Sequence, residues 1–204
     1  MDTVESLLIK RKQIRLFDNE NIPDKMLVKN LINKTYKLVA SKQSLMPYKV
    51  TILGPDRIDE RTELKKLSDK NTGGYSNDNI FAPYVICFTH RLVLEPNPSV
   101  LNKISRGHVY ECTEPKSYKD CRDSVIEVGM FSTTLTALCM EHDIDVAYLL
   151  CFKNDKENQL YFLDDKLIFS MQLGYRSKES VDEKYIKEPD EYKPEVNEII
   201  NWLE

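Results

Sequence analysis

The chain has 204 residues, 41% of them hydrophobic and 30% charged, with a net charge of −4 and an isoelectric point near 5.6. That length carries one well-buried domain and is short for two. The acidic balance excludes a broad nucleic-acid-binding face, so a local basic cluster must answer to a local anion.

The five cysteines (Cys87, Cys112, Cys121, Cys139, Cys151) are odd in number, widely spaced and free of any Cys-x-x-Cys pair. This argues against a disulfide framework and a structural zinc site, and for a reducing compartment. No stretch approaches ~20 apolar residues and the N-terminus lacks a signal-peptide hydrophobic region, so a cytoplasmic protein without a membrane partner is expected. His90, His108 and His142 have no ligand spacing, and no metal is expected.

In chain order, Thr3 is placed to cap a short helix carrying Val4, Leu7 and Leu8. Directly after it comes Ile9-Lys10-Arg11-Lys12-Gln13-Ile14-Arg15-Leu16-Phe17, a basic cluster interrupted by isoleucine and closed by an aromatic. Arg offers a bidentate fork and Lys a point charge, so the cluster suits a phosphate monoester while its apolar members anchor it to a core. Arg15 could instead pair with Asp18 or Glu20 on the surface.

Pro23 suits the first position of a second helix, with Asp24 favourable to its dipole. Val28, Leu31, Ile32, Thr35, Leu38 and Val39 form its stripe, which ends near Ser41. Tyr48, Val50 and Ile52 alternate with polar residues as in a half-buried strand, and Gly54-Pro55 ends it. Residues 56–68 read as a charged surface helix with Ile58, Leu64 and Leu67 inward. Residues 70–79, with Gly73-Gly74, read as a loop, and 82–89 as a buried central strand.

The segment 91–119 contains Pro96, Pro98 and Pro115 and reads as a mobile cover over a site or as a long connection. The longest helix is expected over 120–143, with Val125, Val128, Gly129, Ser132, Thr133, Thr136 and Met140 along one stripe. Those residues are small enough to admit another helix or subunit closely. Two more strands follow, over 146–152 and 167–174, then an acidic linker and a terminal helix over 194–203. There is no internal repeat or domain-scale linker. The order indicates a single α+β domain, 1–204, in which helices sandwich a mixed sheet.

With these elements placed, the chain resembles the nitroreductase family of flavin-dependent oxidoreductases from about residue 7 onward. Arg11-Lys12-Gln13-Ile14-Arg15-Leu16-Phe17 is similar to a family segment Arg-Arg-Ser-Ile-Arg-x-Phe, with Gln13 where Ser is usual. Ala40-Ser41-Lys42-Gln43-Ser44-Leu45-Met46-Pro47-Tyr48 resembles the turn Pro-Ser-Ser-x-Asn-x-Gln-Pro-Trp. Ala82-Pro83 looks like the start of the strand Ala-Pro-Val-Val-Ile-Val. Glu127-Val128-Gly129 resembles Asp-x-Gly, Leu173-Gly174-Tyr175 resembles Ile-Gly-Tyr-Pro, and Lys193-Pro194 resembles Arg/Lys-x-Pro.

The resemblance implies a mainly antiparallel sheet in an intertwined homodimer, with 176–204 packing on the partner subunit and FMN in a groove between subunits. It sets Arg11, Lys12, Gln13 and Arg15 against FMN, with Arg11, Arg15 and Lys193 neutralising the ribityl phosphate. Ser41, Gln43 and Ser44 would bond the ribityl hydroxyls or the pyrimidine edge, or simply form a polar cap and turn. Lys42 would reach the phosphate or partly fill the groove. Leu150 and Cys151 would offer main-chain N–H groups to the hydride-accepting nitrogen, Cys151 standing where glycine is usual.

The activity implied is FMN-dependent hydride transfer from NAD(P)H to a small planar, electron-poor acceptor such as a nitroaromatic or quinone. The flavin would carry the chemistry and no nucleophile–base pair would be needed. Two alternatives stand beside it. One is a flavin-binding storage or regulatory protein without general reductase activity. The other is a protein that keeps the fold, has lost FMN and acts through protein contacts.

Overall fold

The structure, a computed structural model, describes residues 3–69, 77–150, 152, 160–181 and 199–200. Helix α1 (Val4–Lys10) opens as the sequence predicts, with the Ser6 N–H donating to Thr3 Oγ1 at 3.2 Å. Helix α2 spans Lys25–Leu38, and Asp24 is its N-cap, accepting from the Leu27 N–H at 2.9 Å. A side-chain acceptor at that position satisfies an orphan amide, so the helix starts two residues after Pro23 rather than at it. Val28, Leu31, Ile32 and Thr35 are buried as expected, but Leu38 is exposed.

Four strands follow: β1 (Tyr48–Leu53), β2 (Tyr84–His90), β3 (Asp145–Leu149) and β4 (Leu167–Gly174). Their order across the sheet is β1-β2-β4-β3, and every pairing among the described residues is antiparallel. Strand β2 lies between two neighbours and is buried on both faces, which accounts for its near-continuous apolar sequence. Alternation along it sends Tyr84, Ile86 and Phe88 to one core, and Val85 and Cys87 to another.

The first core lies under α2 and α5 (Arg122–Met140). There Phe88 stacks on Phe169 at 5.2 Å and meets Phe131 edge-on at 5.6 Å. The second core lies under α3 (Ile58–Asp69), where Leu64 and Leu67 are buried. Ile58 is not inward as expected. It is exposed, and Arg61 is buried on that face instead. Ile52, expected on the buried side of β1, is also exposed, although Tyr48 and Val50 on the same alternation are buried and half-buried.

The segment 91–119 contains a helix that three prolines conceal from a periodicity reading, α4 (Pro98–Ser105). Asn97 caps it, accepting from the Val100 N–H at 3.1 Å, and Pro98 sits where a missing N–H costs nothing. The longest helix, α5, runs shorter than expected because a 3-10 turn (Tyr118–Asp120) precedes it and its end is closed by Asp143 at φ 54°. The Ile144 N–H returns to the Cys139 carbonyl at 3.0 Å. Asp143 thus takes the left-handed position usually given to glycine. Among the described residues, no helix is long and apolar enough to cross a membrane. The loop centred on Gly73-Gly74, the acidic linker and nearly all of the expected terminal helix lie outside the described residues.

Candidate functional site

The basic segment runs beside the edge strand β3. Ile14 and Phe17 are buried against Ala82 and Ala147, which fixes the cations between them. The Gln13 amide Nε2 donates to the Tyr148 carbonyl at 3.0 Å, and the Tyr148 N–H donates to Gln13 Oε1 at 3.2 Å. This two-point bond is what a neighbouring strand would supply, so Gln13 acts as a one-residue extension of the sheet. Its amide is therefore committed to holding the segment in place. Gln13→Ala should cost roughly 1–2 kcal/mol in a urea titration, because both Tyr148 backbone groups lose their partner. An unchanged midpoint would show that water replaces the amide without loss.

Arg11 is half-buried and Arg15 exposed, and neither is held in an ion pair among the described residues. Arg15 does not pair with Asp18, whose carboxylate instead accepts the Glu20 and Asn21 N–H groups at 2.9 and 3.0 Å. Burial pushes the Tyr148 hydroxyl up from its ordinary pKa, while its bond to Thr136 and the charge of Arg11 pull the other way. A guanidinium without a carboxylate partner keeps its fork of donors available to an anion. Lys12 is half-buried in the same segment.

The second element is the turn at 41–46. Gln43 (φ 56°), Ser44 (φ 57°) and Met46 (φ 44°) are all left-handed without being glycine. Each such residue costs on the order of 1–3 kcal/mol and persists only when its surroundings over-determine it. Here they do. The Lys42 N–H donates to Glu127 Oε1 at 2.8 Å and the Met46 N–H to Ser41 Oγ at 2.9 Å. Asn97 Nδ2 donates to the Gln43 carbonyl at 2.6 Å, and the Tyr110 hydroxyl to Gln43 Oε1 at 3.1 Å. Arg91 reaches the Met46 and Leu45 carbonyls at 2.8 and 2.5 Å. The Lys42 ammonium lies 2.7 Å from Asp123, a largely exposed pair of small energetic weight.

Within one chain the two elements stand apart. The turn docks on Asp123 and Glu127 of α5, whereas the Arg11 charge acts on Tyr148, whose hydroxyl meets Thr136 of the same helix. From residue 127 to residue 136 is nine positions, about 14 Å of helix. At the end of β3, Leu150 is exposed and its carbonyl accepts from the Phe152 N–H at 2.8 Å. Cys151 and Lys193 lie outside the described residues.

No family model matches the sequence, and no curated protein matches it. Solved structures do. A Staphylococcus epidermidis protein assigned as an NAD(P)H:FMN oxidoreductase superposes with a TM-score of 0.73 at 12% identity, over 100% of this chain and 97% of its own. An Exiguobacterium sibiricum protein assigned as a nitroreductase, solved in complex with FMN, gives 0.72 at 15% identity over 100% and 98%. A nitroreductase-like protein from Streptococcus mutans gives 0.70 at 14% over 98% of each chain. This chain has the nitroreductase fold.

Within that fold the sequence reading singled out the basic segment and the 41–46 turn, and the structure gives each a defined seat. Glu127 stands in the segment that resembles Asp-x-Gly, but its bond to the turn is not visible in the sequence, and neither are those of Asp123 on α5 or of Arg91, Asn97 and Tyr110 in the segment 91–119. Within the segment 91–119, Asn97-Pro98 carries a local signal, as a helix start.

Proposed function

We propose that this chain is an FMN-dependent oxidoreductase that passes hydride equivalents from NAD(P)H to a small planar, electron-poor acceptor such as a nitroaromatic or quinone. The observation that carries this reading is the half-buried Arg11 guanidinium, which has no carboxylate partner among the described residues, in a nitroreductase fold. The donor set fits the cofactor: Arg11 and Arg15, without carboxylate partners among the described residues, would meet a phosphate directly, and Lys12 and Lys193 would add charge. Ser41, Gln43 and Ser44 offer hydroxyl and amide groups on a rigid turn, and the main chain at Leu150, with that of Cys151 outside the described residues, would border the ring. When bound, FMN supplies the two-electron chemistry, and the protein supplies binding and orientation.

We also propose a homodimer. Val125, Ile126 and Met130 are exposed on α5 at 52%, 48% and 42% beside Gly129. An apolar stripe of that kind is suited to a second helix. Two chains, each giving one of the separated elements, would complete the groove, with residues 176–204 of one reaching across the other.

Purified protein tests the reading. It should be yellow, bleach under NADH or NADPH, and recolour with an acceptor. A colourless protein that FMN does not reconstitute overturns the proposal, and a yellow protein that no nicotinamide bleaches leaves a flavin-binding protein without reductase activity. Arg11→Ala should weaken FMN binding by about ten- to a hundredfold, the loss of one charged hydrogen bond, while folding stability moves by less than about 0.5 kcal/mol. Equal affinity in the variant would mean that the phosphate binds elsewhere.

A further inference from the structure

The 41–46 turn carries three strained residues, and among the described residues its backbone is tied to α5 by one buried carboxylate, while the Lys42 side chain pairs with the more exposed Asp123. Glu127 is 3% exposed, on the inward side of α5. Its Oε1 accepts the Lys42 N–H at 2.8 Å, and its Oε2 is buried without a partner among the described residues. A carboxylate is not kept in such a place for its own stability, because an unpaired buried oxygen costs free energy.

We propose that Glu127 is the positioning residue of the proposed flavin site: by holding the Lys42 N–H it maintains the left-handed conformations of Gln43, Ser44 and Met46 on which flavin binding depends. The inference rests on the reading of this chain as a flavoprotein, and it deepens that reading.

The surroundings of Glu127 fit a latch better than a catalytic acid. The turn contributes the Lys42 N–H, the Lys42 ammonium and the Ser41 hydroxyl. Helix α5 contributes Asp123, and β1 contributes Tyr48, whose own hydroxyl is pushed up to about 12 by burial and by the nearby Glu127 charge. Burial and Asp123 raise Glu127 above the usual carboxylate range, and Ser41 and Lys42 oppose them. The Ser41 hydroxyl oxygen accepts the Met46 N–H at 2.9 Å, so a pull on Ser41 is transmitted to the far end of the turn. Arg91, Asn97 and Tyr110 hold the turn from the opposite side. They hold carbonyls and one side chain, leaving the amide of Lys42 to Glu127.

Two measurements test this on the full-length protein. In the cofactor-free protein, hydrogen exchange at the amides of Lys42, Ser44, Leu45 and Met46 should accelerate by about tenfold or more in Glu127→Ala, with α5 and the sheet unchanged. Glu127→Gln, which keeps the acceptor and the shape, should restore slow exchange. In titrations with FMN followed by flavin fluorescence, Glu127→Ala should bind about tenfold more weakly, and Glu127→Gln within about threefold of the wild type. Wild-type exchange rates in Glu127→Ala would overturn the positioning role whether or not FMN binds. Faster exchange in a protein that never takes up FMN would keep the latch and overturn only the flavin reading. A loss shared equally by the Ala and Gln variants would also overturn the proposal, since the acceptor would then not be what matters.

Discussion

Arg61→Met should be the most damaging single substitution in the described part of the chain, lowering stability by roughly 3 kcal/mol or more in a denaturant titration. Arg61 is 2% exposed and has no carboxylate partner among its bonds. Its Nε donates to the Arg57 carbonyl at 3.2 Å. Nη1 donates to Ala82 at 2.7 Å and Phe81 at 3.4 Å, and Nη2 to Gly54 at 3.2 Å and to Pro55. One guanidinium thus satisfies the carbonyls where β1 ends, where α3 begins and where β2 is about to start. Burial lowers its pKa, which the Asp56 and Glu60 charges oppose, but a guanidinium remains charged.

Methionine fills the volume and donates nothing, leaving buried acceptors orphaned at about 1–3 kcal/mol each, less than additively. Lysine should not rescue, because a single ammonium cannot span carbonyls on both sides. Arg57→Ala, which removes only the exposed Arg57 side chain and its pair with Glu60 at 3.1 Å, is the control and should cost less than about 1 kcal/mol. A Met variant as stable as that control would show that the carbonyls are satisfied in another way. The effect should also reach the site, since Ala82 packs against Ile14 and Ala147 beneath the basic segment.

Arg61 also marks the limit of what the sequence reveals. The four strands were legible because burial on one or both faces writes a period of two, or an unbroken apolar run, into the chain. The helices α1, α2, α3 and α5 were legible from their stripes. The exceptions share a cause. Hydropathy alone points Ile58 inward, yet Ile58 is exposed and the charged Arg61 is buried with Leu64 and Leu67. Periodicity sees hydropathy, and a guanidinium that caps carbonyls is a polar solution to a burial problem. Helix α4 is not legible because eight residues that begin at a proline present too few turns to show a period, although Asn97-Pro98 announces its start.

The candidate site was half legible for the same reason. Cations and a polar turn are visible as residue types. Their partners Glu127 and Tyr110 lie some 70 to 85 positions away and show nothing in the local pattern. Gln13 is the sharpest case: it stands in the basic segment like a ligand, and its amide is spent on the backbone of Tyr148.

Gly174→Ala should destabilise the protein by about 1–3 kcal/mol and weaken FMN binding as well, although residue 174 is no proposed ligand. A Cβ there would lie 2.7 Å from Pro83 Cδ and 2.8 Å from Phe17 Cδ1. Both neighbours are rings, and neither can swing aside as a flexible side chain would. Pro83 is locked at the start of β2, so the displacement falls on Phe17. Phe17 pairs with Arg176, the Asp18 N–H donates to the Tyr175 carbonyl at 2.8 Å, and the Ser177 N–H donates to Leu16 at 3.1 Å. Arg176 is itself fixed to Asp145 by bonds of 2.9 and 2.5 Å. Moving Phe17 therefore strains the anchor that sets Arg11 and Arg15, and the close approach of Gly174 is what lets that anchor close. The coupling can be read directly. In a Phe17→Leu background, where the ring is gone, Gly174→Ala should cost less than in the wild type by on the order of 1 kcal/mol. The same cost in both backgrounds would mean that Phe17 does not carry the strain, and that the basic segment is seated independently of the end of β4.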